Sequence, residues 1–126
     1  MEKIYQIGVE ATLDVIGGKW KPLILCHLGK GPLRTGQLRR AIPQITQKVL
    51  TQQLRELEDD QIIDRHVFQQ VPPKVVYQLT DYGKTLNQIL VEMSIWGEQR
   101  IKRLQAAHPD EKIELLGDHQ GYLEGH

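Results

Sequence analysis

Gln47, Lys48, Thr51, Gln52 and Arg55 recur at the one-, three- and four-residue steps that gather side chains on one helix face. Two primary amides and a hydroxyl, each able to donate and accept hydrogen bonds, stand there beside two cations. That mixture suits base-pair edges and the phosphates that flank them. Lys48 and Arg55 would reach phosphate, and the arginine could also take guanine. The bland alternative is a solvated helix face.

No second constellation carries chemistry. Gly17-Gly18-Lys19 is followed by Trp20, whereas a phosphate-binding loop needs Ser or Thr after its lysine and an earlier glycine at fixed spacing. Ser94 is the only serine, and no Ser/His/Asp or Cys/His arrangement is legible, so neither catalysis nor a cofactor is expected. His27, His66, His108, His119 and His126 form no i,i+3 or i,i+4 pair, so no metal site is expected. Cys26, the one cysteine, has no intramolecular disulfide partner and reads as a small packed hydrophobe, with redox sensing as the alternative. His27 shares the Trp20/Ile24 face and reads as a packed histidine.

The 126 residues make one domain, or one domain plus an extension, and 40% hydrophobic with 25% charged content is ordinary for a soluble globular chain. No run approaches a membrane span and no signal peptide opens the chain, so a cytoplasmic location is the default. The net charge of zero hides a segregation. Between Asp14 and Glu56 there is no acid, while Lys19, Lys21, Lys30, Arg34, Arg39, Arg40, Lys48 and Arg55 fall inside that interval. One cationic face able to neutralise phosphates is expected whatever the overall sum.

The elements that must position these groups follow from periodicity. Val9–Ile16 reads as a helix with Val9, Leu13 and Ile16 on one face, ended by Gly17-Gly18 in the left-handed conformation. Lys19–Leu28 reads as a second helix with Trp20, Leu23, Ile24, His27 and Leu28 in register, and Pro22 is tolerated in its first turn. Thr35–Ile42, with Leu38, Ala41 and Ile42 on one face, leads through the turn Pro43-Gln44-Ile45 to Thr46. That hydroxyl can cap a helix over Gln47–Asp59, whose apolar stripe is Val49, Leu50, Leu54 and Leu57.

Ile62–Gln69 and Lys74–Leu79 alternate as strands around Val71-Pro72-Pro73, a tip that cannot extend a central sheet. Val67, Val75, Tyr77 and Leu79 would complete the core, while Arg65, Gln70 and Lys74 face DNA from the hairpin. Thr80 caps a long helix from about Asp81 to Ala106, with Leu86, Ile89, Leu90, Met93, Trp96, Ile101 and Leu104 as its stripe and His108-Pro109 as its stop. A helix of about 25 residues spans roughly 38 Å, longer than a small domain needs. Its stripe therefore predicts homodimerisation through Leu86, Ile89, Leu90, Met93, Trp96 and Ile101, joined by Ile4, Tyr5 and Ile7. The expected organisation is a domain over residues 1–108 and a loosely docked or mobile extension over 109–126. Glu124-Gly125-His126 reads as a tag remnant and is set aside.

Three segments carry a resemblance. Val9–Lys21 is similar to the opening signature of the HxlR-type bacterial transcriptional regulators, relatives of the MarR group. Ile42–Leu57 resembles their recognition helix, and Val71–Thr80 resembles their wing and the entry to the last helix. The resemblance covers residues 8–106 and implies a mainly α winged helix-turn-helix with a small β-hairpin and a long C-terminal dimerisation helix. It further implies a dimer on operator DNA, repressing or activating, often in answer to electrophiles or oxidants. Sensing members carry a cysteine just before the Val-Glu-Ala segment. Here Ile7-Gly8 holds that place, and Cys26 does not match the motif.

The expected activity is sequence-specific binding of double-stranded DNA at an inverted repeat. Thr46, Gln47, Lys48, Thr51, Gln52 and Arg55 would lie in the major groove, and Arg34, Thr35 and Arg39 on the backbone. A small effector could bind between the dimer helices and the DNA-binding lobes, although no residue pattern identifies one. The alternative is a winged-helix protein-interaction module that does not read DNA sequence.

Overall fold

The structure, a computed structural model, describes residues 2–117. Five helices and one hairpin follow in the order α1 (Gly8–Ile16), α2 (Trp20–Leu28), α3 (Thr35–Ala41), α4 (Gln47–Asp59), β1 (Ile63–Phe68), β2 (Lys74–Leu79) and α5 (Asp81–Ala107). The expected winged helix-turn-helix is what forms, with element ends shifted by a residue or so. Residues 124–126, read above as a tag remnant, and His119 lie outside the described residues.

The core gathers around α2. Ile24, Leu25, Leu38, Leu50, Leu54, Leu57, Ile62 and Ile63 are its fully buried side chains, drawn from α2, α3, α4 and the start of the hairpin. Because α2 is enclosed by α1, α3, α4, α5 and β2, it buries Leu25 and Cys26 as well as the predicted Ile24 and Leu28, and only Leu23 among its predicted stripe turns outward. Burying each such leucine contributes about 1.5–3 kcal/mol.

Two helix ends are closed by a residue at positive φ. Gly17, which follows α1, is extended, and Gly18 takes the positive φ of +88°. The chain leaves α4 through Gln61 at φ +62°, with Gln61 N–H donating to the Glu58 carbonyl and Ile62 N–H to that of Leu57. That double closure is a Schellman turn, and Leu57 and Ile62 supply its buried apolar contact. Nothing in the sequence marks it, because a glutamine holds the position that glycine usually takes.

Four predicted faces are corrected by burial. Val9 and Leu13 point away from the core while Ile16 enters it, and Ala41 is exposed beside buried Leu38 and Ile42. Val67 is 50% exposed, Val75 and Tyr77 are half-buried, and only Leu79 of the hairpin set is buried. The helices cover only the base of the hairpin. The stripe of α5 divides in two: Leu90, 2% exposed, packs in the chain's own core, whereas Ile89, Met93 and Trp96 face outward. A helix of 27 residues turns more than one face toward its surroundings, and a list of apolar positions cannot say which face the core takes.

The hairpin is antiparallel, with Ile63 opposite Leu79, Arg65 opposite Tyr77 and Phe68 opposite Lys74. Leu33 and Tyr77 exchange both backbone bonds, at 3.0 and 2.8 Å, which holds β2 to the loop before α3. Beyond α5 the chain turns back on itself, and Gln105 Nε2 donates to the Ile113 carbonyl at 2.8 Å. Part of the predicted loose extension is thus tied to the long helix.

Candidate nucleic-acid interface

Thr46 closes the turn after α3, and its hydroxyl accepts the Val49 N–H at 3.1 Å, so α4 begins where the sequence placed it. With Leu50, Leu54 and Leu57 buried, the opposite face is obliged to be exposed. Lys48, Thr51, Gln52 and Arg55 line one open groove on that face, with Glu56 and Asp59 at its far end. Gln47 joins them through a hydrogen bond from its Nε2 to Thr51 Oγ1, 3.2 Å long. All six predicted groups of this helix and its cap, Thr46 through Arg55, are therefore exposed along one surface.

Arg34 and Thr35 stand at the start of α3, where the Arg34 N–H donates to Gln37 Oε1 at 2.8 Å. Arg34 is exposed, Thr35 half-buried, and Arg39 exposed in the last turn of the same helix. On the hairpin, Arg65 is exposed on β1 and Gln70 on the connecting turn. Lys74 is half-buried, with its ammonium 5.3 Å from the centre of the Phe68 ring. Val71 at the tip is 100% exposed. His66 and Gln78 are bonded across the strands at 2.8 Å between side-chain nitrogens.

One predicted cation is spent elsewhere. Lys21 is buried, and its Nζ pairs with Glu56 Oε1 at 3.0 Å, bracing α2 against α4. Its charge serves the interior and leaves the cationic face. Sequence periodicity missed this pair because the partners are 35 residues apart. The first acid after the long gap could have raised the question, but no pattern named its partner.

A second missed arrangement lies behind the hairpin. The Thr80 hydroxyl donates toward the carbonyls of Gln61 and Ile62, at 2.7 and 3.1 Å, and accepts the Gly83 N–H at 2.9 Å. It thereby caps α5 and fastens that cap to the exit of α4. The helix that presents the polar groove and the long helix are joined through one side chain.

The predicted packing residues of α2 behave as buried groups. Burial pushes the Cys26 thiol above its ordinary value, partly offset by a hydrogen bond with Ser94. Burial also pulls the His27 imidazole down, and the Lys30 cation adds to this. Among the described residues no three His, Cys, Asp or Glu side chains are grouped to hold a metal, and no helix is long and apolar enough to cross a membrane.

Apolar side chains are also exposed away from these groups: Ile4, Tyr5 and Ile7 on the segment before α1, and Ile89, Met93 and Trp96 on α5, Trp96 by 69%. Leu86 and Ile101 are half-buried. The N-terminal arm is held in place by Tyr5, whose hydroxyl donates to Asp14 Oδ2 at 2.6 Å, and by Glu10, which accepts the Gln6 and Ile7 N–H groups. The carboxylate of Asp14 raises the Tyr5 phenol above its ordinary value.

Comparison with known proteins places this geometry among close relatives. The family model described as HxlR-like helix-turn-helix matches residues 15–105. The uncharacterised HTH-type transcriptional regulator YtcD of Bacillus subtilis (strain 168) is 58% identical over 103 residues, covering 82% of each chain. The regulator YdeP of the same organism, also uncharacterised, is 52% identical over 106 residues, covering 82% of this chain and 83% of its own. Among solved structures, the redox regulator HypR in its reduced form superimposes with a TM-score of 0.76 at 51% identity, over 79% of this chain and 99% of the other.

Proposed function

Because the chain belongs to the HxlR-like helix-turn-helix family and is a DNA-binding transcriptional regulator rather than an enzyme, we propose that it acts as a homodimer on an inverted-repeat operator. The observation that carries this reading is the exposed face of α4. Lys48, Thr51, Gln52 and Arg55 lie along one groove on a helix whose other side is locked in the core. In the proposed complex α4 enters the major groove, Arg34, Thr35 and Arg39 hold the backbone, and Arg65, Gln70 and Lys74 lie on the flanking DNA.

The exposed apolar side chains of the N-terminal arm and α5 support the dimer, since uncovered apolar area marks an association site. Ile4, Tyr5, Ile7, Leu86, Ile89, Met93, Trp96 and Ile101 are assigned to it, and Leu90 is withdrawn to the core. A two-fold axis there would set two copies of α4 about 34 Å apart, one DNA turn. The same reading has the protein work in the cytoplasm, with any small effector in the apolar groove of about 240 Å³ between α1 and α5. HypR is a redox regulator, whereas this chain keeps its one thiol buried and has Ile7-Gly8 before its Val-Glu-Ala segment.

The test is selection of bound duplexes from a random library at near-physiological salt. Enrichment of an inverted repeat with half-sites one helical turn apart is the expected result. Binding that enriches no motif and disappears as salt rises would overturn the reading.

A further inference from the structure

The hydrogen bond from Gln47 Nε2 to Thr51 Oγ1 occupies one of the two amide protons of Gln47. What the amide then has to offer is one N–H and one carbonyl oxygen, side by side. Among single bases in the major groove, only adenine presents the complementary pair, an acceptor at N7 next to a donor at N6. Guanine shows two acceptors, cytosine a donor alone, and thymine an acceptor and a methyl group. A glutamine with both protons available could satisfy guanine through them. Once Thr51 holds one proton, that option is weakened and the adenine match is retained.

The location fits the task. Gln47 is the first residue of α4, directly after the Thr46 cap, and recognition helices contact base edges with their N-terminal residues. Thr51 sits one turn further on the same exposed face. The bond also orders the glutamine before DNA arrives, which lowers the conformational entropy lost on binding.

We propose that Gln47 reads an adenine in each half-site and that Thr51 is the positioning residue that restricts it to adenine. This inference rests on the reading of α4 as the DNA-recognition helix. Lys48 and Arg55 supply phosphate attraction to every sequence, whereas the Gln47–Thr51 unit discriminates at one base pair.

The experiment is duplex selection by the full chain and by Gln47→Ala, Thr51→Val and Thr51→Ser, with circular dichroism and thermal melts to establish that each variant is folded. Valine keeps the branched shape of threonine, so any contact of the threonine methyl with DNA is preserved while the acceptor oxygen is lost. The native protein should prefer adenine at one position of each half-site by roughly fivefold to a hundredfold, the range of a good bidentate contact. Gln47→Ala should abolish that preference and leave the others. Thr51→Val should relax it several-fold, with guanine gaining most, and Thr51→Ser should restore it. A selected motif whose Gln47-dependent position is not adenine overturns the proposal, as does a Thr51→Val motif identical to the native one. Both of these outcomes leave the operator-binding reading standing. Failure of the native protein to enrich any motif defeats that reading and the proposal together.

Discussion

Lys21 Nζ stands 3.0 Å from Glu56 Oε1, joining the first turn of α2 to the last turn of the helix that presents the polar groove. The two partners are buried unequally, with 10% of the lysine side chain exposed against 44% of the glutamate. The cost of breaking the pair therefore depends on which charge is left behind. Glu56→Ala strands an ammonium in the interior and should cost about 2–3 kcal/mol, below the roughly 3–5 kcal/mol of a fully enclosed pair. Lys21→Met leaves a carboxylate that water already reaches and fills the vacated space, so its cost should stay within about 1 kcal/mol. Lys21→Met should nonetheless weaken duplex binding several-fold, since Glu56 then faces phosphate uncompensated. Urea unfolding and duplex titration of both variants check this, and equal stability losses would contradict it.

Thr80 and Gly83 form the junction between α4 and α5. A Cβ on Gly83 would collide with the Ile62 carbonyl oxygen, which already accepts from Thr80. Backbone cannot yield there as a flexible side chain would. Gly83→Ala should cost about 1–3 kcal/mol or more, and Thr80→Val about 1–2 kcal/mol through the lost cap. Thermal melts of both variants measure the difference, and an unchanged Gly83→Ala protein would refute the close approach.

Base reading and phosphate attraction should separate by mutation. Gln52→Ala is expected to weaken binding to the selected operator far more than to unrelated duplex. Lys74→Ala should weaken both alike and reduce the dependence on salt by about one ion. Affinities on two sequences at several salt concentrations decide the matter. Equal losses on every sequence from Gln52→Ala would remove it from the base-reading set.

Cys26 should behave as an inert thiol. Its pKa lies above the ordinary thiol value because burial penalises the thiolate, with the Ser94 bond only partly opposing this. At pH 7.5 a thiol-reactive disulfide reagent should label the native protein slowly, at the pace of unfolding, and the denatured chain at once. Operator binding should survive oxidants that modify exposed thiols. Rapid native labelling would show that the site opens readily.

His27 gives stability a pH dependence of known sign. Its pKa in the folded protein lies below the ordinary 6.5, first through burial and then through Lys30. The unfolded chain therefore binds a proton first as pH falls below about 6.5, and stability declines from there toward the folded pKa. Above that window the group contributes no slope. His27→Gln should flatten the decline between pH 7 and 5, measured as Tm, and an identical profile would assign it to other groups.

Much of this protein could be read from local pattern. The N-cap at Thr46, the leucine stripe of α4, the proline tip after β1 and the cap at Thr80 each depend on side-chain type and short spacing. Those are the interactions that a single segment makes with itself. Once Leu50, Leu54 and Leu57 face inward, helical geometry alone puts Lys48, Thr51, Gln52 and Arg55 outside.

The tertiary structure decided what depends on distant neighbours. Leu90 and Met93 are equally apolar in sequence, yet one enters the core and the other faces solvent, because only one face of α5 meets α2 and β2. Lys21 counted as one cation among eight until packing brought Glu56 beside it. Thr80 was visible as a cap, but its bonds to Gln61 and Ile62 exist only because the hairpin returns the chain to the end of α4. Sequence alone determined the elements and their exposed chemistry through short-range geometry. Their pairing was set by three-dimensional proximity, which no spacing along the chain encodes.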